Sequence, residues 1–155
     1  MLCGKIAAGK SSLAARLMEQ DAAVLISEDA WLAALFSDQM ATGADYVRCS
    51  TKLQGIMRPH VADLLNADVS VVLDYAANTV ATRVWMRGIL EATQADHQMH
   101  VLDVPDAVCL MRLKHRNAAG DHPFAATEAQ FHRFTQHYVP PTADEGFTIV
   151  RHTAT

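Results

Sequence analysis

The amino-acid sequence predicts an α/β fold, in which helices cover both faces of a mostly parallel sheet. Short apolar runs rich in β-branched residues alternate with longer stretches rich in alanine, leucine and arginine. The run at residues 69–73 is almost continuously apolar, as expected for a strand buried on both faces. With 155 residues, half of them apolar, the chain is long enough to bury the core of one domain. We therefore predict a single domain over residues 1–155.

Five strands and six helices follow from these patterns. The predicted strands are residues 1–3, 23–27, 69–75, 99–104 and 147–151. The predicted helices are residues 10–20, 29–36, 44–66, 80–95, 106–117 and 127–137. Thr127 and Gln130 form a capping-box pattern at the start of the last helix. The first strand is shorter than the usual five or so residues, and we expect the natural start to lie upstream of Met1.

Composition excludes several classes of protein. The net charge of −4 and the pI of about 6.0 argue against a surface made for nucleic acid. The three cysteines lie far apart in the sequence, which favours free thiols over a disulfide framework. The sequence shows neither a run of about 18 apolar residues nor a signal peptide. We therefore expect a cytoplasmic protein that does not bind membranes.

Residues 4–11 match the phosphate-binding pattern G-x-x-x-x-G-K-[ST] at each defined position. The loop follows an apolar run and precedes a helical pattern, which is the setting that this motif needs. Lys10 is expected to reach the β- and γ-phosphates of ATP, and the hydroxyl of Ser11 to bind Mg²⁺. The residues predicted to hold ATP are Gly4, Lys5, Ile6, Ala7, Ala8, Gly9, Lys10, Ser11 and Ser12.

Carboxylates follow the second and third predicted strands. Because ligands of parallel α/β sheets bind outside the carboxyl ends of the strands, Asp29 can serve as a base towards an acceptor hydroxyl. The alternative is that Ser27 or Asp29 only caps the next helix, and Glu28 is a second candidate base. Asp74 ends the third strand and is a candidate Mg²⁺ ligand, unless it only begins a turn.

Arg112 and Arg116 lie four residues apart and therefore share one face of the predicted helix 106–117. Such a pair can neutralise charge on transferring phosphates, although most pairs of this kind simply face solvent. The breaker-rich residues 117–124 are a candidate hinged tip of a lid, and we place the lid at about residues 117–141.

With these motifs placed, the chain resembles the small P-loop kinases grouped as predicted kinases or AAA-type ATP-binding proteins. These are similar to the kinase domain of polynucleotide kinases and more distantly to zeta toxins, chloramphenicol phosphotransferase and gluconate kinase. The resemblance implies a three-layer P-loop NTPase fold with parallel strand order 2-3-1-4-5 and a small helical lid. It also implies that Asp29 is the base and that Arg112 or Arg116 is the lid arginine. Asp74 with Asn78 resembles the D-x-[TS]-N turn of polynucleotide kinases.

The sequence departs from polynucleotide kinases after the predicted base. Leu32 and Ala33 stand where those enzymes place an arginine for the acceptor's phosphate. We therefore expect an ATP-dependent kinase that phosphorylates a hydroxyl of a small molecule, with Lys10, Asp29, Arg112 and Arg116 as catalytic residues. A polynucleotide or RNA-end kinase, with nucleic acid as the acceptor, is a less favoured alternative. The other is a slow ATPase switch that acts through a protein partner.

Overall fold

The computed structural model describes residues 1–120 and 125–153, apart from the side chains of residues 20 and 21. Five strands are present: β1 Leu2–Cys3, β2 Val24–Ser27, β3 Val71–Asp74, β4 Met99–Asp103 and β5 Ile149–Thr153. The α-helices of the described part are α1 Lys10–Asp21, α2 Glu28–Phe36, α3 Gly43–Asn66, α4 Val80–Thr93, α5 Asp106–Ala119 and α6 Glu128–Thr135. A short 3₁₀ helix, Ala143–Glu145, precedes β5.

The strands pair in parallel in two hydrogen-bonded groups, β1–β4–β5 and β2–β3. An isolated parallel bridge joins Leu2 to Ala76, and the Ala77 amide donates to the Leu2 carbonyl at 3.0 Å. These contacts place β1 beside the residues that follow β3. They confirm a parallel sheet, whereas the continuous order 2-3-1-4-5 stays a prediction.

Helices cover both faces of the sheet. Neighbouring residues of a strand point to opposite faces, so one strand can contribute to two separate buried clusters. Leu73 packs with residues of α3 and α4, such as Leu53 and Met86, in one buried cluster. Val72 packs with residues of α1 and α5, such as Leu13 and Leu113, in a second cluster. The layered α/β architecture predicted from the sequence is therefore confirmed.

Element boundaries differ from the predicted ones by a few residues, each for a local reason. Helix α2 begins at Glu28 because the Ser27 side chain caps it, accepting from the Ala30 amide at 3.5 Å. The Val69 amide donates to the Leu64 carbonyl at the end of α3, so β3 begins only at Val71. The capping box of Thr127 and Gln130 is present as predicted.

Candidate active site

The loop between β1 and α1 curls tightly against β4. A Cβ atom at Gly4 would lie 3.1 Å from the Leu102 Cβ and 3.3 Å from the Ala8 Cβ, so a side chain there would crowd both neighbours, and the φ of 158° is one that other residues rarely adopt. Gly9 has a φ of 105°, in the left-handed region that favours glycine. Both glycines of the motif are thus required by the path of the backbone.

Helix α1 starts directly behind this loop and its N-terminus is open to an anion. Gly9 is the N-cap, no side chain caps the helix, and the first turn carries no acidic residue. The first amides of a helix and its dipole favour a negative charge at such an end. The Lys10 ammonium lies at the loop, where it donates to the carbonyls of Gly4 at 2.7 Å and Lys5 at 3.0 Å. The loop therefore fits a nucleotide phosphate.

Asn78 fixes the start of the loop from the turn that follows β3. Its side-chain oxygen accepts from the Gly4 amide at 2.9 Å, and its side-chain nitrogen donates to the Gly4 carbonyl at 2.9 Å. Both backbone groups of one buried glycine are therefore satisfied by a single side chain. The sequence pointed to Asn78 only through the family resemblance and did not indicate this contact.

Helix α5 holds the other side of the loop. Lys5 forms an ion pair with Asp106 at the first turn of α5. Almost two turns further along, the Arg112 guanidinium donates to the Ala8 carbonyl at 3.4 Å. The helix that carries the two predicted arginines thus contacts the phosphate-binding loop directly.

Two of the predicted carboxylates share the electrostatic environment of Lys10. Burial lowers the pKa of Lys10, whereas Asp74 and then Asp29 act in the opposite direction. Burial raises the pKa of Asp74, while Lys10 and a hydrogen bond from Ser11 lower it. The structure therefore brings Lys10, Ser11, Asp29 and Asp74 together at one edge of the sheet. Since Ser27 caps α2, the exposed Asp29 does not serve as its cap.

Glu28 has a different environment from its neighbour Asp29. It is 7% exposed, and it accepts from the Ser50 hydroxyl at 2.5 Å and from the Tyr46 hydroxyl at 3.5 Å. Burial raises the pKa of Glu28, with the Ser50 hydrogen bond opposing it. A carboxyl group held this way fixes α2 to α3, and it is less free than Asp29 to take up a proton from an acceptor.

The two predicted arginines have different surroundings. Arg112 is exposed and reaches the phosphate-binding loop. The buried Nε of Arg116 has no hydrogen-bond partner among the described residues. Burial lowers the pKa of Arg116, and Asp29 opposes this shift. Arg116 therefore belongs to the environment of Asp29, and it carries a donor that an added anion can satisfy.

No pattern in the sequence singled out Arg83, which is fully buried in α4. Its guanidinium binds both carboxylate oxygens of Glu145, at 2.5 and 3.0 Å, and donates to the carbonyls of Ala77 at 3.0 Å and Val139 at 2.8 Å. The Val139 amide in turn donates to the Asn78 carbonyl at 2.9 Å. Arg83 thus ties the segment that leads into β5 to the turn that holds Gly4.

The predicted tip of the lid lies only partly within the described structure. Of the hinge that we expected over residues 117–124, residues 117–119 belong to α5, which Gly120 ends in the left-handed region, and residues 121–124 fall outside the described structure. On either side, Asn117 donates to the Ala126 carbonyl at 2.8 Å, and Lys114 lies 3.0 Å from Glu128 in an ion pair. Helices α5 and α6 are therefore connected by side-chain contacts.

Other features of the described chain do not enlarge this site. A cavity of about 760 Å³ opens at the opposite ends of β3 and β4, and none of the predicted site residues lines it. Within residues 1–120 and 125–153, no group of three or more His, Cys, Asp or Glu side chains is placed to hold a metal ion. At the phosphate-binding loop, Ser11 and Asp74 offer adjacent oxygens, which suits Mg²⁺ when phosphates and water complete its shell. No helix of the described part is long and apolar enough to span a membrane.

Solved structures of similar fold include a candidate kinase and two proteins in complex with a nucleotide or a nucleotide analogue. A candidate kinase of Chloroflexus aurantiacus has a TM-score of 0.74 and 16% identity, over 98% of this chain and 84% of its own. Kti12 of Chaetomium thermophilum, in complex with ADP-AlF3, has a TM-score of 0.70 and 11% identity, over 97% and 87%. The APS kinase CysC of Mycobacterium tuberculosis, in complex with AMPPNP and APS, has a TM-score of 0.61 and 22% identity, over 98% and 85%. At these identities the likeness shows the fold.

Among curated protein sequences, none matches this chain significantly. A family model described as an AAA domain matches residues 1–141, which is most of the chain and includes the whole of the site described above. The chain belongs to this AAA domain family, and its fold is that of the P-loop kinases.

Proposed function

We propose that this protein is an ATP-dependent kinase that transfers the γ-phosphate of ATP to a hydroxyl group of a small molecule. The observation that carries the proposal is that Lys10, Asp29 and Asp74 come together at the N-terminus of α1, which no side chain caps. Lys10 and the amides of residues 4–12 supply a site for phosphates, and Asp29 supplies an exposed carboxylate beside it.

In this proposal Asp29 is the general base. The acceptor hydroxyl gives its proton to the Asp29 carboxylate as its oxygen forms a bond to the γ-phosphorus, and the bond to the bridging oxygen breaks with its electron pair leaving on ADP. Asp29 acts on the pKa of Arg116, and the Arg116 Nε has no hydrogen-bond partner among the described residues. Arg116 therefore suits the transferring phosphoryl group. Arg112, which reaches the loop, suits the phosphates of the departing ADP.

Mg²⁺ would be held by the Ser11 hydroxyl and the Asp74 carboxylate. When bound with ATP, the metal ion neutralises charge on the phosphates. Strand order 2-3-1-4-5 belongs to this proposal, supported by the bridge that places β1 beside the end of β3. So does a lid over about residues 117–141, supported by the hydrogen bond from Asn117 to the Ala126 carbonyl and by the ion pair of Glu128 with Lys114.

The test is transfer from γ-labelled ATP into a metabolite extract by the wild type and by Asp29→Asn. We expect the substitution to preserve ATP binding and to reduce transfer at least a hundredfold, because it removes the proton acceptor and little else. Asp38→Asn, at an exposed position after α2, is the matched control and should transfer normally. Undiminished transfer by Asp29→Asn would place the base elsewhere.

A further inference from the structure

Four side chains of α2, α3 and the end of β3 form a polar cluster next to the proposed base. We call Glu28, Tyr46, Ser50 and Tyr75 the hydroxyl–carboxyl cluster. Glu28 accepts from Ser50 and Tyr46, and the field of Glu28 acts on Tyr75. Asp29 follows Glu28 directly in α2 and acts on the pKa of both Glu28 and Tyr46. The cluster therefore adjoins the point where the acceptor hydroxyl must lie in the proposed reaction.

The cluster holds a donor that has no partner in the described part of the chain. The Tyr75 side chain is fully buried, and its hydroxyl has no hydrogen-bond partner among the described residues. A buried hydroxyl without a partner is unusual in a folded protein and points to a missing ligand or water. Tyr46, at the same cluster, is 37% exposed and gives the cluster a face towards solvent.

The charges around the cluster are negative. The charged groups that act most strongly on Glu28 are Asp29 and Asp74, and both raise its pKa. Arg48 is the cation of α3 that lies nearest in sequence to Tyr46 and Ser50. It is bound to Asp45 at 2.5 Å and to the Gln39 carbonyl at 3.1 Å, so it is already engaged. Lys10 and Arg116 face the phosphates in the proposed function.

We propose that the hydroxyl–carboxyl cluster binds the acceptor and that the acceptor is an uncharged polyhydroxyl compound, such as a sugar or cyclitol, rather than a phosphate or sulfate ester. The inference rests on the proposed kinase function and names its substrate class.

The chemistry of the cluster favours such a compound for two reasons. A neutral hydroxyl can donate to a carboxylate and accept from a tyrosine at the same time, so it suits both kinds of group present. The ionised phosphate group of an ester offers only acceptor oxygens, and it would bring further negative charge close to three carboxyl groups. Recognition of a phosphate commonly uses an arginine fork, and the cluster contains none.

The first test divides a metabolite extract by anion exchange before the transfer assay with γ-labelled ATP. We expect label to enter a compound of the unretained fraction and not one of the retained, anionic fraction. Asp29-dependent label only in the retained fraction would overturn the inference and leave the kinase function standing. Label in neither fraction, with inorganic phosphate as the sole product, would overturn the proposed function and the inference with it.

The second test uses Tyr46→Phe and Glu28→Gln with the acceptor fraction as the varied substrate. We expect each variant to raise KM for the acceptor about tenfold or more while KM for ATP stays unchanged, because Tyr46→Phe removes a hydroxyl group and Glu28→Gln replaces one acceptor oxygen by an amide donor. Glu19→Gln, at an exposed position of α1, is the matched control for the carboxylate. An equal change of both KM values, or no change in either, would assign the cluster a purely structural role.

Discussion

Asn78 shows what a single side chain contributes to this site. The G-x-x-x-x-G-K-S string predicts the loop from sequence, because its spacing is set by the geometry of phosphate binding. The string does not say what holds the loop in place. That contact comes from a side chain 74 residues away along the chain, and only the folded structure brings it to Gly4.

Replacing Asn78 by alanine should destabilise the protein and weaken ATP binding. The Gly4 amide would lose its partner, at a cost of about 1–3 kcal/mol, whereas the Gly4 carbonyl would keep its hydrogen bond from the Lys10 ammonium. Chemical denaturation and a titration with ATP would measure both effects. Asn66→Ala, at the exposed end of α3, is the matched control and should change neither. Full ATP affinity in Asn78→Ala would show that the loop keeps its shape without this side chain.

Glu28 and Asp29 show where sequence reasoning about single residues ends. Both acids follow β2, and the sequence singled out Asp29 mainly through a family resemblance. The structure separates them by burial, since Glu28 is enclosed by Ser50 and Tyr46 while Asp29 is exposed. The enclosing side chains lie 22 and 18 residues further on, so no local pattern could have revealed the difference.

At the scale of elements, the segment between α6 and β5 depends on the ion pair of Arg83 with Glu145. The Arg83 side chain is 0% exposed and that of Glu145 is 20% exposed, so little solvent screens the pair. Arginine at this position looks from the sequence like one more charge on a helix. Its burial results from the packing of α4 against the segment that precedes β5, which is a tertiary contact.

Glu145→Gln should lower the free energy of unfolding by about 3 kcal/mol, because it leaves the buried Arg83 guanidinium without a counter-charge. Urea denaturation would measure the loss. Glu91→Gln is the matched control, since Glu91 is 71% exposed and lies 3.9 Å from Arg87, and it should cost less than about 1 kcal/mol. Equal losses in the two variants would show that the Arg83 pair contributes no more than a surface pair.

Element types were predictable because their signals are local. Helix α6 begins behind Thr127 with the expected capping box, and β3 follows from its continuous apolar run. The errors lie at the ends of elements. The predicted strand over residues 147–151 is Ile149–Thr153 in the structure, since Phe147 is buried in the core ahead of the strand. Such shifts depend on packing partners that the sequence does not show.

At the scale of the whole molecule, the site forms because the carboxyl ends of parallel strands meet at one edge. Lys10 begins α1 directly behind the loop that follows β1, Asp74 is the last residue of β3, and Asp29 lies in the first turn of α2. Both carboxylates act on the pKa of Lys10. The layered fold and this common edge could be predicted from the alternation of elements. The chemistry of the acceptor could not, because it depends on how α2 packs on α3.

The measurement that tests most directly whether the molecule works as a nucleotide-dependent enzyme is its thermal stability with and without ATP and Mg²⁺. At about 100 times its Kd, ATP should stabilise the wild type by about 2.7 kcal/mol, a rise in Tm of several degrees. Lys10→Ala should lose this rise, because the variant lacks the ammonium group that lies at the phosphate-binding loop. Lys52→Ala, at an exposed position of α3, should keep it. An equal rise in the wild type and in Lys10→Ala would contradict the account.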